Sequence, residues 1–117
     1  VNADATLLNN DGEGHQVKGN KAAVGDTGSL LYQTGFSGRA EMGLAGNDDF
    51  SVKVSADGIT WFTALTATGA NGHVQIDQVL RLAPSATPAS PVAGDIYFDD
   101  TTSVLRCFDG TVWQDLF

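Results

Sequence analysis

The pattern Asp-Gly-x-x-Trp occurs twice in this chain, as DGITW at 57–61 and as DGTVW at 109–113. These two copies contain the only tryptophans of the sequence. Asp-Gly between alternating apolar residues is a strong hairpin signal, because glycine readily adopts the positive φ of a tight turn. The repeated pattern therefore predicts two β-hairpins, each with a tryptophan that seals the hairpin onto a core.

A two-residue turn would set the register of both hairpins, since residues at equal distances from such a turn face each other. In the first hairpin the predicted pairs are Ala56–Ile59, Val54–Trp61, Val52–Thr63 and Phe50–Leu65. In the second they are Cys107–Val112 and Arg106–Trp113, and a three-residue loop would shift them by one. The last three pairs of the first hairpin share one face, which predicts an apolar surface around its tryptophan.

The composition agrees with a chain of short strands joined by turns. Glycine accounts for 14 of the 117 residues, and no segment shows sustained helical periodicity. We predict an all-β fold of short antiparallel strands and hairpins in a sandwich-like or barrel-like domain. The predicted strands are 5–8, 15–23, 29–34, 38–44, 49–54, 60–66, 73–76, 79–82, 95–98, 103–108 and 111–116.

Composition changes after Leu65, where large side chains become rare and all three prolines follow. We predict a β-rich domain at 1–68, an extended Pro/Gly-containing connector with short strands at 69–94, and a C-terminal β-hairpin unit at 95–117. A lone hairpin unit of this size is barely stable in water. We therefore expect it to pack against the first domain or against other copies of the chain.

The charge balance argues against two classes of partner. The chain carries 14 acidic and 6 basic residues, for a net charge of −8, whereas phosphate binding needs clustered Lys and Arg. No apolar run approaches the length of a membrane span. We expect no nucleic acid partner and no membrane insertion. The single cysteine, Cys107, cannot form an internal disulfide and is expected to be a buried, inert thiol.

Catalytic and metal-binding patterns are scarce. His15 and His73 lie far apart, and no nucleophile elbow occurs. Two adjacent carboxylate pairs, Asp48-Asp49 and Asp99-Asp100, are typical of turns in which Asp accepts hydrogen bonds from nearby backbone. We predict no catalytic residue, no cofactor and no metal. Two metal hypotheses remain as alternatives: Ca²⁺ at the oxygen-rich NNDGEG segment 9–14, and an ion held by three copies of His73 on a threefold axis.

A carbohydrate site is the binding chemistry that the remaining residues favour. Aromatic rings stack on the apolar faces of sugars, and acidic side chains accept hydrogen bonds from the hydroxyls. The candidate carbohydrate-binding residues are Trp113, Phe36, Tyr97, Arg106, Asp99 and Asp100. The alternative is that most of these aromatic side chains form the core.

Two stretches resemble a known class of proteins. GDTGSLLYQTGFSGRAEMGLAGNDDFSVKVSADGITWFTAL, at 25–65, resembles a segment of tail-fibre and spike proteins from phages of alphaproteobacteria and from the related gene transfer agents. GDIYFDDTTSVLRCFDGTVWQDLF, at 94–117, resembles the terminal unit of many phage fibres. The attachment domain that precedes such a segment is missing here, so the resemblance implies a C-terminal, distal fragment joined to the particle through an N-terminal region, with 1–68 as its distal domain.

The resemblance implies an intertwined homotrimer that projects from a virion or phage-like particle and binds a polysaccharide or lipopolysaccharide at the host surface. The leading hypothesis is therefore a receptor-binding module. One alternative is a purely structural unit that trimerises and caps the fibre while recognition occurs elsewhere. A second is a glycan-degrading spike enzyme that uses acids such as Asp48, Asp49, Asp99 or Asp100, although such spikes usually need a long repeat-built body, which this sequence lacks.

Overall fold

The computed structural model describes residues 1–117 and consists of eight β-strands with no helix. The predicted all-β, antiparallel fold is confirmed. The first sheet is an open meander of β1 (Thr27–Thr34), β2 (Ser37–Ala45), β3 (Phe50–Val54), β4 (Phe62–Ala67) and β5 (Val74–Ile76). The second contains β6 (Ile96–Asp99), β7 (Val104–Phe108) and β8 (Trp113–Asp115).

The chain divides into two compact units, Val1–Gln78 and Val79–Phe117, each built around one sheet. The strand β5 belongs to the first unit, so residues 69–78 of the predicted connector complete the larger sheet. No helix in the chain is long and apolar enough to span a bilayer.

Three predicted strands are wrong: 5–8, 15–23 and 79–82 have no strand structure. A strand persists only when its backbone N–H and C=O groups find partners on a neighbouring strand. No strand of either sheet pairs with these segments, and residues 1–20 are exposed throughout. Alternation of apolar and polar residues is therefore not enough to make these segments strands, because they have no partner strand.

Lys21 holds the chain where it approaches the first strand. Its Nζ donates to the carbonyl oxygens of Val24 at 2.7 Å and Asn47 at 2.6 Å, and lies 2.8 Å from Asp48 Oδ1. Only 10% of its side chain is exposed. The ammonium group thus joins the segment before β1 to the loop between β2 and β3. Asp48 takes part as the ion-pair partner of Lys21 in that loop.

One face of the five-stranded sheet is apolar from edge to edge. Residues directly opposite each other across the strands point to the same face, so the register defines three rows. The rows are Leu30, Met42, Val52, Leu65 and Ile76; Gly28, Leu44, Phe50, Ala67 and Val74; and Tyr32, Ala40, Val54 and Phe62. We call these fourteen residues the apolar face. The other face carries polar rows, among them Ser29, Ser51, Thr66 and Gln75.

The first unit has almost no interior. Ser55 is its only buried residue, and no hydrophobic side chain of the unit is buried. On the apolar face, Leu30 remains 59% exposed and Val74 64% exposed. The five strands therefore form a single layer whose apolar side is covered by no second sheet of this unit; only the segment before β1 reaches it, where Lys21 lies beside Gly28.

The first hairpin has a longer loop than predicted, and its predicted pairs are wrong. Val54 faces Phe62 and Val52 faces Leu65, with a bulge between them. The reason lies in the loop: Asp57 Oδ1 accepts the backbone N–H groups of Ile59 and Thr60, both at 2.8 Å. This side-chain cap builds a wider turn and leaves Trp61 just before the strand.

The second hairpin differs from its predicted register in the same way. Phe108 faces Trp113, and Arg106 faces Asp115. Asp109 Oδ1 accepts the backbone N–H groups of Thr111 and Val112, both at 2.8 Å. The loop therefore spans 109–112, and the predicted pairing of Arg106 with Trp113 is wrong.

Candidate functional site

Four of the six predicted carbohydrate-binding residues lie on one face of the second sheet. Tyr97 faces Arg106 across β6 and β7, Asp99 lies two residues further along β6, and Trp113 faces Phe108. Residues two apart on a strand share a face, so the register brings the four side chains together. We call Tyr97, Asp99, Arg106 and Trp113 the C-terminal cluster.

Asp99 is the single carboxylate of the cluster and accepts three hydrogen bonds. Its Oδ1 accepts the backbone N–H groups of Thr101 and Thr102, each at 2.9 Å, and its Oδ2 accepts the hydroxyl of Tyr97 at 2.8 Å. The side chain is buried, with 5% exposed. The backbone N–H of Thr102, followed by the Tyr97 hydroxyl, lowers the pKa of Asp99 from 3.8 to about 2, because each donor stabilises the ionised form.

Arg106 lies between two carboxylates and neutralises the cluster. Its Nη1 is 3.4 Å from Asp99 Oδ2, and its Nε is 2.8 Å from Asp115 Oδ1. The Nε–H does not meet hydrogen-bond geometry towards that oxygen, so this short contact is an ion pair rather than a hydrogen bond. The guanidinium crosses from β7 to both neighbouring strands and ties them together.

The aromatic side chains complete the core of the second unit. Tyr97 is 6% exposed and meets Trp113 edge to face, with ring centroids 4.6 Å apart. Phe108 faces Trp113 across the strands, with ring centroids 5.3 Å apart and the two planes tilted by 57°. Thr87 Oγ1 lies 2.9 Å from the Tyr97 hydroxyl. The polar groups of Tyr97 and Asp99 are thus engaged within the chain, and of these rings Phe108 and Trp113 keep partial access to solvent while Tyr97 is buried.

The other two predicted residues lie outside the cluster. Asp100 is exposed in the turn after β6, where its backbone N–H donates to Ser85 O at 2.9 Å. Phe36 belongs to the first unit, in the turn between β1 and β2. Phe36 therefore belongs to a different unit from the other five residues.

Phe36 has an unusual conformation for an aromatic residue. Gly35 and Phe36 both have positive φ, at 55° and 64°, as in the tight turn that normally uses Asn-Gly. A bulky side chain in this left-handed region is strained. The ring is 95% exposed. The turn therefore presents an aromatic ring to solvent at a conformational cost.

A second apolar side chain is exposed at the same end of the sheet. Ile59 is 86% exposed in the loop between β3 and β4. Ser37 Oγ donates to the backbone oxygen of Asp57 at 3.2 Å, which joins this loop to the turn that holds Phe36. We call residues 34–37 and 55–61 the turn end. Ile59 was absent from the predicted site. Its place directly after Asp57-Gly58 could have indicated an exposed apolar side chain, because turn residues usually lie at the surface.

Trp61 and the side chains beside it form the base of the turn end. Its ring lies against the backbone of Gly38, where a Cβ atom would come within 2.7 Å of Trp61 Cζ2. Lys53 Nζ is 5.9 Å from the centre of the ring, within the range of a cation–π contact. The backbone N–H groups of Thr60 and Ile59 lower the pKa of Asp57, so its carboxylate is ionised at neutral pH.

The chain contains no group of three or more His, Cys, Asp or Glu side chains that could hold a metal ion. In the 9–14 segment, Asn10 Oδ1 accepts the backbone N–H of Gly12 at 3.0 Å, as in an Asn-capped turn. Asp49 Oδ1 likewise accepts the N–H of Gly69 at 2.8 Å. Comparison with known protein families, curated proteins and solved structures yields no match.

Proposed function

We propose that this chain is the receptor-binding module of a tail fibre or spike of a phage or phage-like particle. It binds a polysaccharide or lipopolysaccharide at the host surface as a homotrimer, and the turn end makes the contact. The observation that carries the proposal is the fully exposed Phe36 ring in a strained turn. The resemblance of 25–65 to phage and gene transfer agent fibres gives the class of particle.

The geometry of the turn end suits a sugar. An exposed ring offers its π-face to the C–H groups of a pyranose, and such stacking needs no deep pocket. Ile59 extends the apolar surface, while the ionised Asp57 in the same loop can accept hydroxyl hydrogen bonds. These groups lie on short loops held by a sheet, where binding residues are commonly found.

The strain at Phe36 is the reason to favour function over chance. Left-handed backbone costs roughly 1–2 kcal/mol for a residue other than glycine. The preceding position of the same turn is Gly35, which adopts this conformation without that cost. No packing contact of the ring offsets the cost, because the side chain is 95% exposed. Strain of this kind is commonly kept at binding sites.

The test is binding of the labelled chain to host cells with and without their surface polysaccharide. Phe36→Ala should weaken binding at least tenfold, because it removes the ring and keeps the strained backbone. Phe117→Ala is the matched control, since Phe117 is also largely exposed, at 78%. Equal binding by the parent and Phe36→Ala, or binding that is indifferent to the polysaccharide, contradicts the proposal.

The apolar face favours a second candidate, a structural unit that trimerises and caps the fibre. An uncovered sheet face is what an assembly domain would present, and it needs no ligand. The two candidates separate in the same assay. A folded assembly that binds no host cell supports the structural unit and moves recognition to another part of the particle.

A further inference from the structure

The apolar face is large and carries no charge. None of its fourteen residues is Asp, Glu, Lys, Arg or His, and it reaches both edge strands. Five strands about 4.8 Å apart and rows about 6.8 Å apart give a face of roughly 24 by 20 Å. An area of roughly 480 Å² lies within the 300–600 Å² range of the largest apolar patch on a typical monomer, and such patches are often sites of interaction.

The exposed area of the whole chain is far above that of a compact monomer. The chain exposes 8997 Å², whereas a folded monomer of 12.2 kDa exposes roughly 6,000 Å². Even two separate compact bodies of these sizes would expose only about 7,200 Å² together. The exposed segment 1–20 accounts for much of this excess, because an extended chain exposes about 1.45 Å² per dalton.

A standard interface buries about 800 Å² on each partner, and obligate homo-oligomers bury more, with a more apolar surface. Because the first unit buries no hydrophobic side chain of its own, its cover must be present whenever the unit folds. A stoichiometric cover that accompanies every chain is most simply another copy of that chain.

We propose that the apolar face packs against the apolar faces of other copies of this chain, and that these contacts form the hydrophobic core of the first unit. The inference rests on the self-association included in the proposed function and adds the surface through which it occurs. An uncharged face can meet itself around a symmetry axis without placing like charges together, even though each chain carries a net charge of −8.

The opposite face does not suit this role. Glu41 and Lys53 lie side by side in its central strands, and Ser29 Oγ donates to Glu41 Oε2 at 2.8 Å. Burying these groups between copies would require new partners for each of them. The two faces of the same sheet are therefore distinguishable by substitution.

Adjacent leucines on β1 provide a matched pair of variants. Leu30 lies on the apolar face and is 59% exposed, while Leu31 lies on the opposite face and is 50% exposed. Leu30→Lys should weaken association at least tenfold, because it places a cation in the apolar contact. Leu31→Lys should associate as the parent does, since its new charge lies opposite Glu41. Sedimentation velocity over a range of concentrations measures the assembled fraction.

The other edge of the sheet supplies a second pair. Ile76→Lys changes the apolar face on β5, and Gln75→Lys changes the opposite face beside it. Circular dichroism of all four variants shows whether the strands form. If Leu30→Lys loses its β signal, the pair on β5 decides between the faces.

Each outcome bears on a separate claim. A parent chain that is monomeric at 100 μM overturns the inference together with the proposed self-association. An assembled parent whose variants on both faces behave alike overturns only the inference about the apolar face. Assembly that is lost on the apolar face alone supports it. Host-cell binding of the assembled parent then tests the receptor function independently.

Discussion

Three aspartates perform the same structural task in this chain. Asp57, Asp99 and Asp109 each accept two backbone N–H groups from the residues two and three positions later. These hydrogen bonds help to lower the pKa of Asp57 and Asp99, and at Asp109 they act after the larger contribution of the Gln114 side chain, because each donor favours the carboxylate. The repeated Asp-Gly-x-x-Trp pattern is therefore first an aspartate cap for a four-residue turn, and the same cap recurs without tryptophan at Asp99.

Asp99 should make the second unit sensitive to acid. Its folded pKa of about 2 lies below the ordinary 3.8, so the ionised carboxylate stabilises the folded state. This contribution is complete above the ordinary pKa and disappears as pH falls through the folded one. We expect Asp99→Asn to lower the melting temperature at pH 7 and to flatten its decline between pH 4 and pH 2. Thermal melts followed by fluorescence in a Trp61→Phe background, where Trp113 is the only tryptophan, measure this.

The neighbouring Asp100→Asn is the control for that experiment, because Asp100 is exposed and lies outside the cluster. It should leave the melting temperature at pH 7 close to that of the parent. If Asp99→Asn keeps the full acid sensitivity of the parent, the Asp99 hydrogen bonds are not its source.

Replacing Phe36 with glycine should raise the stability of the fold and weaken binding to host cells. Phe36→Gly removes the left-handed strain, since glycine adopts φ near 64° without a Cβ clash. We expect the free energy of unfolding to rise by about 0.5–1 kcal/mol, while host-cell binding falls as in Phe36→Ala. Urea titration measures the first effect. A Phe36→Gly chain that is less stable than the parent would mean that the ring makes contacts that support the fold.

Strand β2 depends on one glycine in its middle. Gly43 has φ of 143°, and a Cβ atom there would lie 2.5 Å from Gly28 O and 2.8 Å from Ser29 Cα on β1. Both contacts are with backbone, which cannot rotate away. Gly43 thus permits β1 and β2 to approach closely, a requirement that the simple alternation of Ala40, Met42 and Leu44 did not reveal.

We expect Gly43→Ala to lower the free energy of unfolding by about 2 kcal/mol or more, because it adds both strain and a backbone clash. Hydrogen exchange should show lost protection along β1 before other strands. Gly69→Ala is the matched control, since a Cβ at Gly69 meets its nearest atom at 3.5 Å, an ordinary contact. A Gly43→Ala chain as stable as Gly69→Ala would show that β1 can move away at no cost.

At the scale of the whole molecule, folding and association should be linked. If copies of the chain form the core of the first unit, dilution removes that core. We expect the melting temperature to fall by roughly 3–8 °C for each tenfold dilution. Added salt should raise it at fixed concentration, because salt screens the repulsion between chains of net charge −8. A melting temperature independent of concentration contradicts the linkage.

For the C-terminal cluster, the sequence predicted which residues belong together but did not decide whether they are buried. Their types predicted a site of aromatic rings, acids and an arginine, and Tyr97, Asp99, Arg106 and Trp113 do lie together. The sequence left open whether these aromatic rings form core, and the burial of Tyr97 and Asp99 depends on distant residues, since Ser85 pairs with Asp99 and Thr87 contacts the Tyr97 hydroxyl. Phe36 and Ile59, by contrast, share one end of the sheet only because their two turns meet there.

The sequence by itself determined that the chain is all-β, that both Asp-Gly pairs lie in turns, and that Ala40, Met42 and Leu44 alternate with their neighbours along one strand. These properties are local, because they follow from Asp-Gly turns and from the two-residue period of a strand. The tertiary structure alone decided the hairpin registers, the loss of strands at 5–8 and 15–23, and the joining of three rows into one apolar face. Those properties are non-local, since a strand exists only where another strand accepts its hydrogen bonds.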